Sequence, residues 1–309
     1  MRRLGLLMPI HLQPRDFAAM SEIGDFGTMS SDQIFRRHYT NEEAEVTRVY
    51  FNRRMRDIVK AGWLDRQDIV LSGNKGVQKQ PSVFRLTPDG ADEVFRHTGY
   101  EPPRVARSDA PSALTLMHRV GVTETLIAFK DAASKEQLEP ARWILEGDKE
   151  PGANSRQPRD QQYVIFESFA KGRVKFSCRP DASFSLLLPN NRTLLGYIEY
   201  DRSTEGKDQI QRTKLHGYSL MLGSQAFLRH WPDAIQPAPR IFFVCKSKAR
   251  IRNLQDWLSS SKLEKEYNFT LHEYLNADII SAPVWWKLRD DVDGPGRAIF
   301  PKKQSASRS

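Results

Sequence analysis

Between residues 14 and 97, apolar positions recur every three or four residues in short runs, each closed by a turn or capping residue. Pro14-Arg15-Asp16 opens a first helix, with Phe17, Met20 and Ile23 at helical spacing. Caps between Thr28 and Ser31 introduce a short second helix, SSDQIFRRHY. Thr40 and Glu43 carry the capping-box spacing and predict that a third helix starts there. That helix should reach about Ala61, stop at Gly62, and bury a stripe of Phe51, Met55, Ile58 and Val59. The pattern then reads as strands, at Ile69–Leu71 and Ser82–Leu86, with a turn over Ser72–Gly76 between them. Thr87-Pro88-Asp89-Gly90 caps a fourth helix that carries Ala91, Val94 and Phe95. Helices followed by a β-hairpin in this order predict a winged helix-turn-helix over residues 1–97.

Residues 98–112 break the pattern with three prolines and few apolar positions, and read as a linker. From 113 to 290 the chain returns to strand and helix signals, predicting a second, α/β or α+β domain around a mixed sheet. A long helix runs to about Ala133, with Leu114, Met117, Val120, Leu126 and Phe129 on its buried side. Strands are expected at 141–146, Val174–Ser177, Ser183–Leu188, Leu194–Tyr200 and Arg240–Cys245, and a last one within Tyr267–Tyr274. Helices are expected at Lys207–Leu222 and Arg252–Ser260, while Tyr163–Phe169 is ambiguous and the polar loop after Glu146 should be exposed. Residues 291–309 turn polar and basic and read as a disordered tail.

Composition narrows the partners. The net charge is +9, which favours a polyanion, nucleic acid before membrane. No run approaches the roughly 18–20 apolar residues of a membrane span, and the basic start lacks a cleavage site, so a soluble cytoplasmic protein is expected. Cys178 and Cys245 are far apart and imply neither a disulfide nor a zinc site. A DNA-reading helix needs donors in its N-terminal half, and Arg48, Asn52, Arg53 and Arg54 are available, with Tyr50 beside them. Asn74, Lys75, Gln78 and Lys79 suit a wing tip that touches phosphate. Double-stranded DNA is the expected partner.

In the second domain the informative side chains are Asp181, Glu199 and Asp201. Glu199 and Asp201 lie two apart in a strand and share one face. With Asp181 beside a neighbouring strand they suit an oxygen site for Mg²⁺ or Mn²⁺. The same acids also suit ion pairs at a strand end. Lys214 falls on a stripe with Ile210, Tyr218 and Met221, on the helix face expected to meet the sheet. A buried ammonium calls for a carboxylate partner, although a lysine stem also reaches solvent easily.

RPDASF, a hydrophobic hairpin, IEYDRSTEG, and a helix with Lys214-Leu215-His216-Gly217-Tyr218 together resemble the replication-relaxation family of plasmids and mobile elements. PRDFAAM, AGWLDR, FRLTPDG, LMHRV and WILEGD follow the same order, so the resemblance covers most of the chain. It implies a role in replication, relaxation or mobilisation, with replication or conjugation proteins as partners. The C-terminal half is also similar to the PD-(D/E)xK nuclease fold. By that resemblance Pro180-Asp181 and Glu199 are the metal-binding acids, and Glu124 on the long helix is a further metal or water contact. The lysine expected two positions after Glu199 is replaced by Asp201, and Lys214 is the substitute ammonium.

Two functions follow: a metal-dependent DNA nickase or endonuclease, or an inactive nuclease fold serving as an accessory or regulatory DNA-binding protein. A tyrosine relaxase would bind metal through clustered histidines, and the seven here are scattered. The Gly-rich loop that cradles ATP phosphates is missing.

Overall fold

The computed structural model describes residues 10–41, 44–45, 47–73, 76–106, 111–138, 142–188 and 190–299. The chain divides into two compact units, 1–123 and 124–309. Together they form a mixed α+β protein whose main sheet has five strands.

In the first unit, α1 (Pro14–Phe26) starts with proline at its first turn, is capped reciprocally by Gln13 and Asp16, and ends at Gly27 with φ 70°. β1 (Met29–Ser30) leads into α2 (Ser31–His38), where Ser30 and Gln33 form a capping box. The third helix does not begin at Thr40. There the chain forms β2 (Thr40–Asn41), which pairs with β3 (Ala44–Glu45), and Glu43 lies outside the described residues. Thr47 is the cap instead: its hydroxyl accepts the Tyr50 amide at 3.2 Å and starts α3 (Arg48–Lys60).

The strands that follow are β4 (Leu64–Gln67), β5 (Val70–Gly73), β6 (Gly76–Lys79) and β7 (Val83–Leu86), before α4 (Pro88–Thr98). β5 pairs with β6, while β7 sits between β1 and β4. The hairpin expected between residues 69 and 86 is therefore split. All four residues of β7 are buried, which suits a central strand, whereas Val70, Gln78 and Lys79 are exposed in the outer hairpin. Phe35 and Tyr39 meet Phe51 edge-on at 5.2 and 4.9 Å, above a core that includes Met20, Ile23 and Ile58.

The expected linker is not free of this unit. Ala106 donates its amide to Leu86 O at 2.6 Å, and Tyr100 donates its hydroxyl to Asp25. The next helix, α5 (Ala113–Lys135), crosses the division. In its first half Leu116 packs with Ile69 and Val83, and Thr123 donates its hydroxyl to Thr28 O at 2.9 Å. Leu114, expected on the buried side, is exposed.

The second unit contains β8 (Arg142–Leu145), α6 (Arg159–Gln162), β9 (Glu167–Lys171), β10 (Val174–Cys178), β11 (Ala182–Leu187) and β12 (Thr193–Tyr200). Next come α7 (Lys207–Ile210), a π-helical segment Gln211–His216, α8 (Gly217–Gly223) and α9 (Phe227–His230). β13 (Ala238–Cys245), α10 (Lys248–Leu258) and β14 (Tyr267–Leu271) complete it. The sheet order is β14-β13-β12-β11-β8, antiparallel from β8 to β12 and parallel from β12 to β14. On one face Phe129 of α5 packs on Phe184 and Phe242 at 4.5 and 5.3 Å between ring centres. The other face buries Tyr197, Ile241 and Phe243 with Tyr218, Ile251 and Leu254 from α8 and α10.

The beginning of the expected tail is packed as well. Arg297 exchanges backbone hydrogen bonds with Trp285, and Val292 is buried; residues 300–309 lie outside the described residues. Among the described residues, no helix is long and apolar enough to cross a membrane.

Candidate functional site

β11 and β12 pair with Ala182 opposite Ile198, so one step along the ladder Asp181 stands opposite Glu199. Alternation puts Glu199 on the face of Leu195 and Tyr197, beneath α8. It is 4% exposed. The Lys214 ammonium donates to its Oε2 at 2.5 Å and the Tyr218 hydroxyl to its Oε1 at 2.6 Å. Asp181 Oδ2 accepts the Tyr200 amide at 2.7 Å.

The helix expected at 207–222 supplies Lys214 and Tyr218, but not as one regular cylinder. Its middle is wound as a π-helix, which adds a residue to the turn that carries Lys214. The Lys214 carbonyl accepts the Tyr267 hydroxyl at 3.0 Å, a bond from outside the helix. Gly217 permits the close approach to β10, since a Cβ there would lie 2.6 Å from Ser177 O. Ile210, Lys214, Tyr218 and Met221 are all buried, as their shared stripe predicts.

Burial pushes the Glu199 carboxyl up to about 8; Lys214 opposes the rise and Asp181 adds to it. Burial also works against the Lys214 charge, but Glu199, Asp181 and Glu205 outweigh it and raise the lysine above its ordinary value. Burial and Glu199 hold the Tyr218 hydroxyl protonated as a donor. Lys214 thus pairs directly with Glu199, and the Asp181 charge acts on both.

Asp201 does not join them. Arg250 of α10 donates to Oδ2 at 2.9 Å and Oδ1 at 2.8 Å, and the Ser203 amide adds a bond at 3.1 Å. Both of its oxygens are committed to a buried bidentate pair with Arg250. Glu124, on α5, acts electrostatically on Tyr200, whose ring stacks on His272 at 4.4 Å. Tyr200 alternates with Glu199, so this contact lies on the other face of the sheet. Among the described residues no three His, Cys, Asp or Glu side chains gather as a metal-binding group.

In the first unit, α3 exposes Asn52, Arg53 and Arg56 along one side. Arg48 pairs with Asp32 and lies 4.7 Å from the Phe35 ring centre, at the edge of that surface. Arg48, Asn52, Arg56, Arg66 and Lys79 line one open groove of about 520 Å³. Lys75 lies outside the described residues. Arg54 turns inward: it donates to Asp16 Oδ2 through Nε at 3.0 Å and Nη2 at 2.5 Å, and Asp16 is fully buried. Its expected place on the outer surface is therefore taken by Arg56, one turn after Asn52, a spacing readable from the sequence. Arg66 had no such signal, because the strand β4 that presents it was not evident in the pattern.

A model of the family described as replication-relaxation matches residues 20–231. Neither a curated protein nor a solved structure matches the chain.

Proposed function

Because the chain belongs to the replication-relaxation family, we propose that it binds double-stranded DNA through its first unit and cuts one strand with the Asp181–Glu199–Lys214 cluster. The family suggests a role in the replication or relaxation of plasmids and other mobile elements, and involvement with DNA and the replication machinery.

The first unit is read as a winged helix, with α3 entering the major groove and the β5–β6 hairpin beside it as the wing. Asn52, Arg53 and Arg56 face the bases or phosphates, and Lys79 and Arg66 hold the backbone. Arg54 has no part in this reading. The second unit is read as a PD-(D/E)xK-like core, supported by a mixed sheet with one antiparallel inner strand and helices on both faces.

The observation that carries the cleavage reading is the cross-strand pairing of Asp181 with Glu199, with Lys214 bonded to Glu199 and under the charge of both acids. Magnesium commonly takes one or two carboxylates plus phosphate oxygens, so Asp181 and Glu199 would be a sufficient donor set once a divalent ion displaced the Glu199 proton. Bound there, Mg²⁺ or Mn²⁺ supplies an activated water and polarises the phosphodiester. Lys214 keeps its proton and offsets charge on the phosphate. Tyr218 fixes the Glu199 carboxyl, and Arg250 holds Asp201 at the end of β12.

Supercoiled plasmid should be nicked with Mg²⁺ or Mn²⁺. Asp181→Asn and Lys214→Met should each lower the rate by roughly 100-fold or more while duplex affinity stays unchanged. Nicking that survives Asp181→Asn, or a chelator, overturns the reading. One observation favours the second reading, an accessory DNA-binding protein: both Glu199 oxygens are already occupied. That protein would bind duplex tightly, take up no Mn²⁺ and leave plasmid intact.

A further inference from the structure

Away from the carboxylates, Arg240 lies near the start of β13 opposite Gly196, whereas Glu199 stands opposite Phe243 further along the same strand. Arg240 alternates with Ile241 and Phe243, which face α8 and α10, so it points to the face opposite Glu199. It lines a cavity of about 350 Å³ with Lys265, Lys287, Arg289 and Arg297. Two carboxylates also line it, Glu264 and Asp290. Each is spent: Glu264 accepts Arg289 Nε at 2.8 Å, and Asp290 accepts Arg297 Nη2 at 2.5 Å.

Three cations remain. Lys287 donates to Lys265 O at 2.7 Å and Asn268 Oδ1 at 2.6 Å, neither of which carries a charge. Arg240 makes no hydrogen bond or ion pair among the described residues, and its charge meets Glu266 and Arg192 at longer range. Burial, then Arg240 and Arg297, push the Lys287 ammonium down to about 8, with Glu266 and Asp290 opposing. Arg240 and Lys287 are half-buried and Lys265 is exposed beside them, and cations gathered in one cavity short of counter-charge form a field that an anion would relieve.

We propose that this cavity binds a phosphate group, held by Arg240, Lys265 and Lys287. Among the described residues no aromatic side chain lines it, so a nucleobase has nothing to stack on and the phosphate itself is what is recognised. The group is either free inorganic phosphate or a phosphate of a DNA backbone. The site does not depend on the carboxylate cluster.

The test uses the full chain and the variants Arg240→Gln and Lys265→Gln, both at side chains without hydrogen-bond partners, so the melting temperature should hold. In one arm, calorimetry with inorganic phosphate should show binding that Arg240→Gln weakens by roughly tenfold or more, as expected for a lost charge-assisted bond. In the other arm, fluorescence anisotropy follows a DNA duplex. If the phosphate belongs to DNA, Arg240→Gln lowers affinity and reduces the salt slope by about one, with free phosphate silent. Arg240→Lys should recover part of either response. Unchanged phosphate binding and unchanged DNA binding in Arg240→Gln would overturn the proposal, whatever the outcome of the nicking assay.

Discussion

Asp16 in the first unit and Glu199 in the second are both carboxylates sealed from water beside a cation and a tyrosine. Asp16 has a guanidinium to itself: Arg54 binds it twice, Tyr39 donates at 2.7 Å, and the Gln13 amide caps it at 2.6 Å. Glu22 is met by Arg37, at 2.6 and 2.8 Å, and also by His38 Nε2 at 2.8 Å. Asp201 and Arg250 repeat the Asp16–Arg54 pairing in the second unit. Glu199 differs because Asp181 stands across the strand: burial raises its proton affinity first, the Asp181 charge adds to that rise, and Lys214 opposes it. Burial of an acid therefore does not mark a reactive place. What sets Glu199 apart is a second acid facing it across the paired strands.

The contrast breaks most visibly at its structural end. Asp16→Ala should cost about 3–5 kcal/mol in urea unfolding, because it strands the Arg54 charge and the Tyr39 hydroxyl inside the unit. A loss near zero would mean that Arg54 escapes to solvent and that the pair holds little together. Gly217→Ala should come next, at roughly 1–3 kcal/mol, since the methyl meets the Ser177 carbonyl and pushes the Lys214 helix off β10. Its melting point would fall along with any Mn²⁺ binding; a neutral result would remove the close approach as a cause of the cluster.

The third experiment sharpens the charge count. Asp181→Asn should lower the Glu199 pKa from about 8 by roughly one unit, read by carboxyl carbon NMR, because it deletes the like charge. The sign of the stability effect follows. Below the ordinary glutamate range both folded and unfolded Glu199 carry the proton. As pH rises towards about 8 the unfolded chain has lost that proton while the folded one retains it, so stability falls across this window and levels off above it. Asp181→Asn should narrow the window from its upper end. A Glu199 that titrates at its ordinary value in the parent chain would dissolve the distinction between the two sites.

Much of this was legible along the chain. The stripe Ile210–Lys214–Tyr218–Met221 is buried as its spacing requires, and the parity of Glu199 and Asp201 correctly places them on one face, the face on which Lys214 and Arg250 meet them. What parity could not tell was the partner. Asp201 and Glu199 share a face, yet α10 delivers an arginine to one and the π-turn delivers a lysine to the other. The α3 start was missed because Thr40 and Thr47 are both good caps, and local spacing does not decide between them. Arg54 was misplaced for a related reason: its position on the helix was readable, but Asp16 sits far away in sequence.

Periodicity, capping and strand alternation are local, and they were enough to set out most of the order of elements, the mixed sheet and the acids near the ends of its inner strands. Charge pairing acts through space between residues tens of positions apart, so the folded chain alone settled which cation each of Asp16, Glu199 and Asp201 meets, and that Arg240 meets no acid directly among the described residues.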